Sequence, residues 1–130
     1  MSLIEVSFPG GKKLETNIKG FTVDTDQPVN SGGGGSAPTP FDLFLSSIAA
    51  CTGVTALSFC QSRNIDTKGL KLSLDTERDE ETGMISDIKM ELTLPENFPS
   101  KYEEAIRKAT DSCTVKKHII NSPDFKVILK

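Results

Sequence analysis

The chain has 130 residues, 36% hydrophobic and 25% charged, with 18 acidic against 15 basic residues and a formal net charge of −3. That is enough for one domain, residues 1–130, with a real core, and it excludes disorder and fibrous repeats. The basic residues are scattered rather than striped, which argues against nucleic acid or a membrane surface as partner, and the opening MSLIEVSFPGGKK lacks the apolar run of a secretory signal, so the cytoplasm is the expected compartment.

In chain order, LIEVSF, KLETNI and FTVDT read as three short strands, separated by Pro9-Gly10-Gly11 and by Gly20. The following stretch, DQPVNSGGGGSAPT, carries four consecutive glycines and reads as a flexible surface linker or a mobile flap. Thr39 as cap, Pro40 in the first turn and Asp42 at the positive end of the dipole predict a helix. From residue 43 to 62 no charge occurs, and Leu43, Phe44, Leu45, Ile48, Val54, Leu57 and Phe59 spread round the wheel. Such a helix is expected to be buried nearly all round, and a homodimer is the natural source of the extra cover. A membrane span has the right length, but Ser46, Ser47, Thr52, Thr55, Ser58 and Gln61 weaken that alternative.

After the helix, Leu70, Leu72 and Leu74 alternate with polar residues, and Ile88, Met90, Leu92 and Leu94 do the same beyond the polar turn at residues 79–83. This is an antiparallel ribbon with one apolar face. Ser100 with Glu103 forms a capping-box pattern for an amphipathic helix. A break at residues 110–112 precedes Cys113 and a further turn or two of helix, and residues 125–129 read as a last strand. The order βββ-α-ββ-αα-β is an α+β arrangement.

Three cysteines are too few and too dispersed for a disulfide scaffold or a zinc site, which leaves free or reactive thiols. Cys51 lies in the uncharged helix among the small residues Ala49, Ala50, Thr52 and Gly53, open to approach or simply packed. Cys60, nine residues on, falls on the opposite face and reads as structural. Cys113 sits at the start of a helical turn with Lys116 and Lys117 nearby, a setting that favours a thiolate. His118 reads as packing rather than as a base. The glycine run lacks the Lys-Ser/Thr of a phosphate loop, there is no nucleophile elbow, and no metal or cofactor is called for.

The stretch PFDLFLSSIAAC (residues 40–51), with SCTV around Cys113, resembles the OsmC/Ohr family of thiol peroxidases. The resemblance implies an OsmC/Ohr-like fold, with antiparallel sheets packed around a long buried central helix, and an intertwined homodimer. It implies that Cys51 attacks a hydroperoxide, preferably an organic one, that Cys113 resolves the sulfenic acid as a disulfide, and that a small dithiol or lipoyl-type reductant restores the thiols, in oxidative or osmotic stress defence. The activating arginine and glutamate of the family have no direct counterpart: the first arginine is Arg63, and Phe41 stands at the glutamate position. Asp42, Lys12 and Lys13 are the candidates to support the thiol, and Phe41, Phe44 and Phe59 to wall a substrate pocket. The alternatives are a non-catalytic module for a small hydrophobic ligand and a thiol/disulfide sensor.

Overall fold

The computed structural model describes residues 2–130 and divides into two compact units, one up to Ser46 and one from Ser47 onward. In the first unit, β1 (Ile4–Gly10), β2 (Lys13–Ile18) and β3 (Phe21–Thr25) form an antiparallel meander in that order. The β2–β3 hairpin turns on two residues, Lys19 at φ 51° and Gly20 at φ 83°, with Ile18 opposite Phe21. Positive φ at both central positions matches the twist of the strands, and glycine supplies it without strain. The outer strand β1 is exposed along its length, including Ile4, Val6 and Phe8.

The glycine-rich stretch is not the loose linker its composition suggests. Asp26, buried at 3% exposure, gathers it: the carboxylate accepts N–H bonds from Gln27 (2.7 Å), Gly34 (3.3 Å) and Ser36 (3.1 Å) and the Ser36 hydroxyl (2.7 Å). Gly33 N–H and Gly35 N–H bond back to Pro28 and Gln27 carbonyls. Composition alone misses this because the ordering comes from one acidic side chain satisfying several backbone donors.

The long helix α1 (Pro40–Ser62) starts with a reciprocal cap, Asp42 N–H to Thr39 Oγ1 (3.1 Å) and Thr39 N–H to the Asp42 carboxylate (3.0 Å). Within its own chain it is not buried all round. Ile48, Thr52, Ala56, Phe59 and Cys60 form one buried stripe at helical spacing, whereas Val54 is 60% exposed. Its length and apolar character would suit a membrane span, yet this stripe is buried against protein.

In the second unit, β4 (Lys71–Arg78) and β5 (Ile85–Thr93) pair antiparallel, Leu72 opposite Leu92 and Leu74 opposite Met90. Asp79 closes the turn by accepting from the Glu81 and Thr82 N–H groups. A 3₁₀ turn (Ser100–Tyr102) leads into α2 (Glu103–Thr110), followed by α3 (Thr114–Ile120). Ser100 is therefore not the cap of α2; the tight Tyr102-to-Pro99 bond places Glu103 as the first α-helical residue. The core consists of Ala56, Phe59, Cys60 and Ile106, with Leu92, Leu94 and Tyr102 against it. Residues 125–129, expected as a strand, pair with no strand among the described residues: Phe125, Val127 and Leu129 are 88–90% exposed. A strand needs an edge to bond to, and pattern alone does not supply one.

Candidate functional site

The site grows from the interruption between α2 and α3. Asp111 and Ser112 N–H groups bond to Lys108 and Ala109 carbonyls, tightening the end of α2, and the first bond of α3 runs from Lys117 N–H to Cys113 C=O (3.0 Å). Cys113 is thus the N-cap residue, with extended backbone (φ −69°, ψ 126°) and a fully buried side chain. Cys51, on α1, is only half-buried. All three cysteines are free thiols, and Cys51 lies near enough to Cys113 to act on its acidity.

The electrostatics of Cys113 are a contest. Burial by itself pushes its thiol up, because a thiolate loses hydration. The Cys51 thiol, the Lys116 and Val115 amides and the Thr52 hydroxyl together outweigh burial and hold Cys113 below the usual thiol range. Cys113 makes no close capping bond with its side chain, so the two amides act on the sulfur at longer range. Thr52 donates its hydroxyl proton to the Ile48 carbonyl (2.9 Å), so it favours the thiolate only by sharing or turning that proton. Cys60 is pushed the other way: burial raises its thiol, opposed only in part by Arg63.

The sequence profile of the family described as OsmC-like protein matches residues 33–128. The chain belongs to the OsmC-like family. Among curated proteins none matches it. Solved structures agree on the fold: an OsmC like protein from Mycoplasma pneumoniae is similar at 16% identity and TM-score 0.71, over 92% of this chain and 86% of that one. An organic hydroperoxide resistance protein OsmC from Legionella pneumophila gives 20% identity and TM-score 0.56, over 92% and 88%. The organic hydroperoxide resistance protein OhrB of Bacillus subtilis gives 20% and 0.52, over 98% and 97%.

A cavity of about 630 Å³ in this OsmC-like chain is lined by Thr52, the residue after Cys51, while neither Cys51 nor Cys113 is among its lining residues. Leu72, Met90 and Leu92 give it an apolar floor, Arg107 and Lys116 stand at its polar side, and Thr52 reaches both the cavity and Cys113. The Lys116 ammonium is turned to the Thr110 carbonyl (2.9 Å) and lies 4.0 Å from Asp111, so it is the amide of Lys116 rather than its charge that bears on the sulfur.

Of the residues singled out from sequence, the structure brings Cys51 and Cys113 together. Phe59 does not wall the cavity: it is a core residue, with the Arg63 guanidinium 3.6 Å over its ring and Tyr102 edge-on at 6.0 Å. Phe41 and Phe44 stack on each other at 5.4 Å and are both exposed in this chain. Asp42 is engaged in the helix cap, the Lys12 stem runs beside Gly32, and Lys13 begins β2 opposite Gly10. His118 is exposed and bonds through Nδ1 to the Thr114 carbonyl (2.8 Å). Cys60 lies in the core. Sequence reasoning missed Thr52 as a site residue; the available signal was its place one residue after Cys51 in the Ile48-Thr52-Ala56 stripe. Among the described residues no cluster of His, Cys, Asp and Glu could hold a metal ion.

Proposed function

We propose that this OsmC-like protein reduces organic hydroperoxides in the cytoplasm through Cys51 and Cys113, as part of oxidative or osmotic stress defence. The observation that carries the reading is the pairing of a half-buried thiol with a fully buried one whose thiolate is favoured. Cys51 is the sulfur a substrate can reach. Its thiolate attacks the distal oxygen of the hydroperoxide, the O–O bond breaks, the alkoxide leaves as alcohol, and Cys51 becomes a sulfenic acid. The Cys113 thiolate then attacks the Cys51 sulfur and expels hydroxide, forming the disulfide before overoxidation. A small dithiol or lipoyl-type thiol returns both residues to the reduced form by exchange. The apolar floor of the cavity favours a carbon-bearing peroxide over hydrogen peroxide.

A homodimer belongs to this reading. Ile4, Val6, Phe8, Phe21 and the tail from Phe125 to Leu129 leave more apolar surface open than a stable monomer normally shows, and a second copy is the cover that the family resemblance implies.

The test is mass mapping of the reduced protein after one equivalent of an organic hydroperoxide, with thiols blocked at once. The expected result is rapid loss of two hydrogens on a Cys51–Cys113 bridge. Thiols that stay free over minutes would instead favour a non-catalytic module, for which the same cavity argues, holding a small hydrophobic ligand and recognised by a ligand-dependent rise in Tm.

A further inference from the structure

The cavity has a chemistry of its own that the thiol scheme leaves unused. It lies wholly within the unit from Ser47 onward, and its volume of about 630 Å³ is that of a pocket for a small organic molecule. Its floor follows from strand alternation: Ile88, Met90 and Leu92 share one face of β5, and Leu72 pairs with Leu92 across the ribbon. A smaller cavity of about 210 Å³ shares Ile88, Met90 and Lys116 and carries the apolar surface on to Ile48, Ile119 and Ile120. An elongated apolar body has room along this line.

The polar side of the cavity is charged, with a negative balance: Glu103, Glu104 and Asp111 stand there against Arg107 and Lys116. Both cations are already engaged. Arg107 Nε donates to Glu104 Oε1 at 3.0 Å, with a second bond from the same guanidinium, and the Lys116 ammonium donates to the Thr110 carbonyl at 2.9 Å, with Asp111 at 4.0 Å. The Glu103 carboxylate has no ion pair or hydrogen-bond partner among the described residues. An arriving carboxylate therefore meets no free cation and faces Glu103. Another protein chain fits no better, because covering this side would strand the Glu103 charge away from water. A hydrogen-bond donor does fit.

We propose that this cavity binds an elongated apolar compound with a hydrogen-bond-donating head, an ammonium or a hydroxyl, held by Glu103, and that it turns carboxylates away. The body of the ligand lies along Ile88, Met90 and Leu92, and its head reaches the start of α2. Glu103 sets the head-group preference, because it is the one carboxylate of the rim whose acceptor oxygens are not already shared with a cation. This deepens the hydroperoxide reading by naming the head-group chemistry of its substrate, and it rests on that reading only for the substrate's identity.

The experiment keeps one tail and changes the head. Octylamine, octanol and octanoate are titrated calorimetrically at neutral pH into the full chain, as wild type, Glu103→Gln, Glu103→Lys and Ile88→Trp, with folding checked by circular dichroism. Wild type should bind octylamine and octanol and take octanoate more weakly by about 5-fold or more, the upper end for one exposed charge pair. Glu103→Gln, a mild change at an exposed position, should narrow the difference, and Glu103→Lys should reverse the order of amine and carboxylate. Ile88→Trp puts a larger ring where both cavities meet and should weaken all three. The proposal is overturned if octanoate binds wild type as tightly as the other two, if the order is unmoved in both Glu103 variants, if Ile88→Trp binds like wild type, or if none of the three binds. None of these compounds is a peroxide, so the two ideas separate. A head-group preference in a protein that forms no Cys51–Cys113 bridge with an organic hydroperoxide supports the binding site and sinks the peroxidase reading; a bridge without any preference does the reverse.

Discussion

Asp26 and Ser36 are joined twice: the Ser36 N–H and its hydroxyl both donate to the same Asp26 carboxylate oxygen, at 3.1 and 2.7 Å. This pair closes the glycine-rich loop, and it does so with a charge. The Ser36 hydroxyl first, then the Ser36, Gln27 and Gly34 amides, hold Asp26 at about 2, against an ordinary value of 3.8. Because the folded value is the lower one, the stabilisation is fully present above pH of about 4 and is lost as pH falls towards 2. Asp26→Asn should therefore melt below wild type at neutral pH, with the gap closing over that acid window. A gap that stays constant from pH 7 to pH 2 would show that shape, not charge, holds the loop.

Gly33 is required for space rather than for φ. A Cβ there would stand 2.0 Å from the Gln27 carbonyl oxygen and 2.8 Å from Asp26 Oδ1, so the loop must open to admit it. Gly33→Ala is expected to cost about 1–3 kcal/mol, in the range of overpacking substitutions. At Gly34 the nearest atom is an Asp26 oxygen at 3.2 Å, and Gly34→Ala should cost less. Chemical denaturation of the two variants checks the order, and equal losses would contradict it.

Cys60 provides the control for the thiol chemistry. It is fully buried in the core with Ala56, Phe59 and Ile106, and burial keeps it protonated. Cys60→Ala should lower stability by about 1 kcal/mol, as a small core deletion does, and leave the rate of the Cys51–Cys113 bridge unchanged. Ile106→Ala, which removes a larger side chain from the same cluster at 2% exposure, should cost about 2–5 kcal/mol. Urea midpoints beside peroxide stoichiometry decide this; a Cys60→Ala protein unable to form the bridge would move Cys60 into the site.

The exposed tail gives a test of assembly. With Phe125, Val127 and Leu129 at 88–90% exposure, a dimer that covers them should be weakened by a charge in their midst. Sedimentation of wild type should give twice the chain mass, and Val127→Asp should shift the population towards monomer and lower Tm. Identical sedimentation of the two would remove the tail from the interface.

Much of this was readable from residue pattern because it depends on neighbours in sequence. The Thr39-Pro40-Asp42 start of α1, the alternation of Leu72, Leu74, Met90 and Leu92, and the helical turn beginning at Cys113 are local signals, and each element formed where its signal lay. The opposite placement of Cys51 and Cys60 follows from helical periodicity alone. What the sequence could not decide were partners across space. Whether a glycine run is loose depends on where the Asp26 carboxylate ends up; whether Phe59 lines a pocket or fills a core depends on Tyr102 and Arg63. Residues 125–129 have a strand's alternation, but strand pairing requires an edge brought by the fold. The proximity of Cys51 to Cys113, suggested by resemblance, and the place of Thr52 beside them come from the tertiary fold, which no spacing between residues 51 and 113 encodes.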